Sequence, residues 1–122
     1  MITLLEYHFC TIEVYNDYIV VVMNEGITVS PKYNEQLVNI SQKYFKGKTF
    51  GYITNRIHSY SVDPSIYIQT SKIKNLAAFA IVSDKEISMS NAQIEKLFFK
   101  KPFQHFTNLE EAINWIKNSV NL

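Results

Sequence analysis

Glycine is scarce in this chain, which contains only three in 122 residues. Glycine-rich loops let a backbone wrap closely around phosphate groups, and the sequence has neither a P-loop nor a dinucleotide-binding fingerprint. A G-x-S-x-G nucleophile motif is absent as well. The sequence therefore argues against these nucleotide-binding and hydrolase sites, and we expect no cofactor.

Cysteine occurs once, at Cys10, so no disulfide can form within the chain. A single thiol fits a reducing compartment. Because Cys10 lies in an apolar and aromatic segment, we predict a buried, inert thiol rather than a nucleophile. His8, His58 and His105 are scattered without the close spacing of metal ligands, so we expect no metal site.

Excess charge and long apolar runs are missing too. The formal net charge is +1, which gives no indication of nucleic acid or an acidic membrane as a partner. Neither a signal peptide nor the roughly 18 apolar residues of a membrane span is present, so we expect a cytoplasmic protein. Lysines beside predicted helix ends are interpreted as solvated surface, with a binding patch as the alternative. They are Lys46 and Lys48, Lys72 and Lys74, and Lys100 and Lys101.

Apolar residues, in contrast, are plentiful. Hydrophobic residues make up 47% of the chain and aromatic residues 14%, enough for one core, and we predict a single domain over 1–122. Alternating residues around 11–15 and the run Tyr18–Met23 flank Asn16-Asp17, which predicts a β-hairpin. Unbroken or alternating apolar runs predict further strands at 50–54, 76–82 and 103–106.

Capping signals predict the helices. Ser30-Pro31 begins the first, as N-cap and first helical residue, and Gly47 ends it. Asp63-Pro64 begins a second that runs to about residue 73. Further cap patterns at Ser90 and Asn108 precede two more, and the third presents Ile94, Leu97 and Phe98 on one face.

The order of these elements predicts an α/β fold. Strands and helices alternate after the hairpin, as they do in sheets built from parallel strands with helices packed on them. We therefore expect an N-terminal β-hairpin leading into a parallel-rich mixed sheet of about five strands, with about four helices.

Three features give the chain a resemblance to the SpoIIAA-like superfamily, the α/β fold shared by STAS regulatory domains and CRAL-TRIO lipid-transfer domains. A β-hairpin leads to a strand and then to a helix near Ser30-Pro31. The segment GYITNRIHSYSVDP is followed by the apolar strand NLAAFAIVS, and the ending FTNLEEAINWIKN is similar to the tail of bacterial members. The chain looks like a small stand-alone bacterial member.

The resemblance also shows where this chain departs from the superfamily. In anti-anti-sigma members, a serine in a D-S-S/T-G motif is phosphorylated and switches partner binding. Ser59, Ser61 and Ser65 occupy that region, but none lies in such a motif, so the switch does not carry over. The lipid-transfer branch needs a large apolar cavity, and 122 residues are few to enclose one.

The loop Asn55–Asp63 is the predicted binding site, because ligands of α/β sheets bind in the crevice at the carboxyl ends of strands. Its candidate residues are Arg56, His58, Ser59, Tyr60, Ser61 and Asp63. Arg56, the only arginine, offers a donor fork to an anion. The alternative is that Arg56 ties the loop to an acidic side chain or to backbone carbonyls, while Asp63 caps a helix.

Phe98, Phe99 and Phe103 form a dense aromatic cluster beside Lys100, Lys101 and Pro102. One of the three phenylalanines can remain exposed and mark a partner or dimer surface. The alternative is that all of them fill the core against the next strand. A homodimer is therefore one arrangement that the sequence leaves open.

Taken together, these features predict a non-enzymatic regulatory or interaction module that binds an unknown protein partner or small ligand near Asn55–Asp63. The alternative is a carrier of a small amphipathic or lipid-like ligand. No catalytic residue is predicted, and an enzyme with His58 as base beside Arg56 is the weakest reading because no nucleophile, metal or cofactor motif accompanies them. Under the interaction hypothesis, Arg56→Ala leaves the fold intact and abolishes binding.

Overall fold

The protein's architecture is given by a computed structural model that describes residues 1–58, 60–84 and 93–121. Ser59 of the candidate site and the cap predicted at Ser90 lie outside these residues. The strands are β1 Thr3–Glu6, β2 Cys10–Val14, β3 Tyr18–Met23, β4 Thr28–Val29, β5 Phe50–Asn55, β6 Ser61–Val62, β7 Leu76–Val82 and β8 Phe103–Phe106. The helices are α1 Lys32–Tyr44, α2 Ile66–Thr70, α3, which includes the helical residues 93–96, and α4 Leu109–Val120.

Six of the strands form one mixed sheet in the order β1-β2-β3-β5-β7-β8. The first three are antiparallel, and the predicted hairpin pairs Val14 with Ile19. From β3 onward every neighbour is parallel. The predicted mixed, parallel-rich sheet is therefore confirmed, with β1 as a further antiparallel strand at its edge.

The two faces of the sheet are covered by different helices. In β5, alternate side chains point to opposite faces, so Tyr52 belongs to the core cluster under α1 and α2, while Ile53 belongs to the cluster that includes Ile116 of α4. Burying both faces explains why β5 and β7 read as continuous apolar runs. The strands that lead to the candidate site are thus packed against helices on both faces of the sheet.

The helix ends follow local signals in most cases. Gly47 adopts φ +78° after α1, the left-handed conformation expected of a glycine that terminates a helix. Ser30 does not cap α1 with its side chain as predicted; its backbone carbonyl accepts from the Tyr33 N–H at 3.0 Å instead. Pro31 already has helical angles. The α2 helix is shorter than predicted because the chain tightens into turns after Thr70.

The cap of α4 is confirmed, since Asn108 Oδ1 accepts from the Glu111 N–H at 2.9 Å. Asn108→Ala leaves that N–H without its acceptor, so we expect the free energy of unfolding to fall by about 1 kcal/mol. Urea denaturation measures this change. Asn118→Ala, on the exposed surface of the same helix, is the control and should change stability far less.

Candidate functional site

The loop between β5 and α2 leaves the interior of the sheet at its carboxyl edge, because β5 lies between β3 and β7. The Arg56 N–H donates to the Val82 carbonyl at 2.9 Å, which holds the start of the loop against β7. Further along, β6 pairs in parallel with β4 through Val62 and Val29. The loop is therefore held against β7 at its start and against β4, in a separate two-stranded sheet, near its end.

Arg56 is a buried structural residue, with only 9% of its surface exposed. Its Nη2 donates to both carboxylate oxygens of Glu95, at 2.9 and 2.7 Å. Nε donates to the Tyr60 hydroxyl at 3.0 Å, and the guanidinium carbon lies 5.5 Å from the centre of the Tyr60 ring. Since Nε and Nη2 are engaged internally, the alternative in which Arg56 ties the loop to an acidic side chain describes this structure.

Burial and pairing set the charges of this pair. Burial disfavours the guanidinium of Arg56, but Tyr60, Tyr67 and Glu95 together outweigh it and raise its pKa above the ordinary value. Burial raises the pKa of Glu95, and the hydrogen bonds from Arg56 and Tyr67 oppose that rise. A buried ion pair is weak evidence for net stability, but losing one partner leaves the other charge uncompensated.

Glu95 is the residue that the sequence did not reveal. It is 39 positions from Arg56 and lies between Ile94 and Lys96, on a helix for which the sequence predicts only an apolar face. A lone buried arginine needs a carboxylate partner, so an acidic residue is expected beside Arg56. That requirement does not identify which glutamate is the partner. The pairing is a tertiary fact.

A group of hydroxyls lines the sheet face beside this ion pair. Tyr33 and Tyr52 share a hydrogen bond at 2.5 Å, and Thr54 and Tyr60 share one at 3.1 Å. Burial raises the pKa of Tyr33, Tyr52 and Tyr67 well above the ordinary range, so these hydroxyls stay protonated. They surround a cavity of about 20 Å³ under α1 and α2. That is room for about one water molecule.

The other candidate residues of the loop do not converge on a shared point with Arg56. The His58 side chain is 47% exposed, and its Nδ1 lies 3.8 Å from Glu25 Oε2. Ser61 is exposed in β6. Asp63 Oδ1 accepts from the Ser65 N–H at 3.0 Å and from its hydroxyl at 2.9 Å, and these bonds lower the pKa of Asp63. Asp63 thus caps the turn that leads into α2.

The phenylalanine cluster mostly fills the core, which is the alternative to a partner surface that the sequence left open. Phe99 and Phe103 are 6% and 4% exposed and pack on Phe79 of β7, with ring centroids 5.4 and 5.0 Å away. Phe98 is half-buried and packs against the same core. Phe99 and Phe103 are therefore not surface residues of the monomer, because their rings fill the core against Phe79.

An open crevice of about 470 Å³ runs along the carboxyl edge next to the loop. Its polar lining comes from the ends of three strands and the start of α4: Asn55, Arg56, Ser83, Asp84, Thr107 and Asn108. Four of these residues lie outside the predicted Asn55–Asp63 loop. The same rule that selected Asn55–Asp63 would have found them, since Ser83 follows β7 and Thr107 follows β8.

Three large apolar side chains are exposed near this edge. Ile57 is 56% exposed, Ile94 52% and Leu97 77%. Ile57 lines the crevice, while Ile94 and Leu97 lie on either side of Glu95, which Arg56 joins to the loop. Leu97 lies in the turn after the helical residues 93–96, and its N–H donates to the Ile94 carbonyl at 3.1 Å. We call Ile57, Ile94 and Leu97 the apolar rim. Of the face predicted on α3, Ile94 and Leu97 are exposed, while Phe98 is half-buried and packs against the core.

Two features are absent from the described residues, a cluster of metal ligands and a helix that could span a membrane. No three or more histidine, cysteine, aspartate or glutamate side chains are grouped so that they could hold a metal ion. Within the same part of the chain, every helix is too short or too polar to cross a membrane. Cys10 is fully buried, and burial raises the pKa of its thiol to about 12.

Comparison with known proteins identifies the fold. No family model matches the sequence, and no curated protein matches it. Among solved structures, it is similar to an uncharacterized protein of the DUF3478 family, with a SpoIIAA-like fold, from Shewanella loihica PV-4. The TM-score is 0.59 over 88% of this chain and 91% of that one. The fold is SpoIIAA-like. Sequence identity is 16%, so the SpoIIAA-like architecture is what the two chains share.

The SpoIIAA-like fold confirms the architecture implied by the sequence resemblance. The start of the Asn55–Asp63 loop and the crevice lie at the carboxyl edge of the parallel strands, and Ile57 of the apolar rim lines that crevice. Function has to be argued from that edge itself, since one fold can host unrelated activities.

Proposed function

We propose that this protein is a non-enzymatic interaction module that binds a protein partner at the carboxyl edge of its sheet, beside the Asn55–Asp63 loop. The observation that carries the proposal is the apolar rim. Ile57, Ile94 and Leu97 each expose more than half of their surface. They lie on two segments that the Arg56–Glu95 pair joins, and one of them lines a polar crevice; large exposed apolar side chains are typical of protein interaction sites.

The buried ion pair supports this proposal by holding the rim in place. Arg56 and Glu95 connect the loop to α3, so the side chains next to them are presented from a fixed backbone. A preorganised surface loses less conformational entropy when a partner binds. The crevice adds hydrogen-bonding groups beside Ile57, and protein interfaces combine apolar contacts with polar groups of this kind.

The competing functions have less support. A cavity of about 20 Å³ holds about one water molecule, so a lipid-like ligand does not fit under α1 and α2 unless side chains that line the cavity are displaced. An enzyme with His58 as base and Arg56 as anion holder would need both side chains at one site. Arg56 is instead buried against Glu95, while His58 is exposed near Glu25.

The test is a double variant of the rim, Ile57→Gln with Leu97→Gln. Tagged wild-type and variant proteins are used to capture partners, which are quantified by mass spectrometry, and the enriched partner is then titrated against purified protein. Losing two buried apolar side chains from an interface should weaken its affinity at least about tenfold. Sedimentation of the protein alone reports whether the partner is a second copy of the chain.

The control is Ile2→Gln with Leu4→Gln, which changes two exposed apolar residues near β1. The control should bind like wild type. Equal binding by the rim variant and the wild type, or equal loss in both double variants, would contradict the proposal. Arg56→Ala is unsuitable for this purpose, because it removes the cation that pairs with buried Glu95 and perturbs the fold itself.

A further inference from the structure

The amino edge of the sheet, opposite the proposed interaction site, contains an open groove of about 620 Å³. Three segments line it: part of α1, residues 46–49, which precede β5, and residues 72–75, which precede β7. The fold thereby joins two lysine pairs that the sequence presents separately. We call the groove lined by Lys46, Lys48, Lys72 and Lys74 the lysine groove. Its lining contains no acidic residue.

These lysines are not needed to satisfy the helix ends around them. Asn75 Nδ2 already donates to the Phe45 carbonyl at 3.0 Å and to those of Ser41 and Lys48 at 3.3 Å. Lys101 Nζ occupies the Ile73 and Leu76 carbonyls at 2.6 and 2.7 Å. Lysines near a helix C-terminus usually interact with its free carbonyls, and here other side chains already donate to most of these carbonyls.

Three of the four ammonium groups remain available. Lys48 Nζ donates to the Asn16 carbonyl. Lys46, Lys72 and Lys74 are exposed, and within the described residues their side chains make no hydrogen bond or ion pair. Like charges held around one groove repel each other, and an anionic ligand would relieve that repulsion.

The rest of the lining indicates what kind of anion fits. Compact phosphates are bound by N–H groups at helix N-termini. Here α1 ends at Tyr44 and directs carbonyls, the negative end of its dipole, toward the groove. No aromatic side chain lines the groove to stack on a nucleic acid base. Val38, 38% exposed, and the aliphatic parts of the lysines offer apolar contact instead.

We infer that the lysine groove is a second binding site, for an acidic segment of a protein chain whose carboxylates pair with the lysines while apolar side chains lie on Val38. Carboxylates of the ligand that pair with the ends of the long lysine side chains would lie away from the helix carbonyls. A phosphate on the floor of the groove would lie close to those carbonyls and be repelled by them. A volume of about 620 Å³ is in the range of sites that enclose a few side chains. This site is independent of the carboxyl edge.

The test uses a short capped peptide in which glutamate alternates with leucine and serine, titrated into the protein at low salt and followed by NMR. Backbone signals of residues 46–48 and 72–75 should shift, and added salt should weaken binding because exposed charge pairs are screened. Lys72→Gln with Lys74→Gln should bind about fivefold more weakly. The same peptide with glutamine in place of glutamate should not bind.

Lys32→Gln with Lys117→Gln is the matched control, since it removes the same charge from two exposed positions outside the groove. Wild-type affinity in the control supports the inference. Equal weakening in both double variants would mean attraction by overall charge and would overturn it. The inference would also be overturned if the shifted signals lay outside the groove or if the glutamate peptide did not bind. Displacement of that peptide by pyrophosphate, RNA or anionic vesicles would overturn it as well. Thermal unfolding confirms that all variants are folded.

Discussion

Replacing Glu95 with glutamine is expected to lower the free energy of unfolding by about 3 kcal/mol. The side chains of Arg56 and Glu95 are only 7% and 5% exposed, so the loss of the carboxylate leaves a guanidinium buried without its counter-charge. Glutamine has nearly the same shape, and the effect therefore reports charge rather than a cavity. Urea denaturation measures the change, and Glu6→Gln, exposed at the end of β1, is the control.

A paired substitution shows whether the cost comes from the unpaired charge. Arg56→Met with Glu95→Met removes both charges and keeps apolar volume, so we expect it to be more stable than either single variant. The Tyr60 hydroxyl would keep its bond to Thr54 in this variant. If the two single losses simply added in the double variant, the pair would not be acting as a unit, and our account of the rim's rigid support would be wrong.

Gly51→Ala is the second substitution with a large expected effect. Gly51 lies in β5, and a Cβ added there would overlap the Ile116 side chain of α4, chiefly its Cγ2. Ile116 is fully buried, so it has little room to move. Overpacking of this kind should lower the free energy of unfolding by about 2 kcal/mol and loosen α4 from the sheet.

The clash can be separated from any backbone effect of glycine replacement. Gly51→Ala with Ile116→Ala removes the overlapping atoms, and we expect it to be more stable than the Ile116→Ala variant alone because the new methyl group fills part of the cavity. Gly47→Ala is the contrast. Its Cβ would meet no atom within 4 Å, and its loss of about 1 kcal/mol would come from φ +78° alone. Hydrogen exchange of α4 amides shows which helix loosens; unaltered exchange in Gly51→Ala would refute the packing argument.

Local signals in the sequence predicted many boundaries correctly. Asn16-Asp17 marks the hairpin turn, Gly47 ends α1, and Asn108 caps α4, because each depends on the chemistry of a few adjacent residues. The run Leu76–Val82 was predicted as a buried parallel strand and matches β7 in full. Local signals are weaker where an element depends on its neighbours: β1 is a strand because β2 supplies its hydrogen bonds.

The candidate site was predicted in place but not in detail. The rule about carboxyl ends of strands located the Asn55–Asp63 loop, while the direction of each side chain depended on residues far away in the chain. The sequence left open whether Arg56 contacts a ligand or ties the loop to an acidic side chain, and Glu95 and Tyr67, from other elements, bury it in the second arrangement. Leu97 was predicted on one face with Ile94 and Phe98, and it is 77% exposed.

By itself, then, the order of apolar runs, turns and caps determined an α/β sheet with a leading hairpin, since hydrophobic periodicity and backbone capping act over a few residues. Only the tertiary structure decided which charges are paired and which are exposed. Arg56 meets Glu95, while Lys46 and Lys72 come to one groove, through crossovers that join distant segments. Electrostatic and packing energies depend on distances in space, and those distances exist only once the strands are in register.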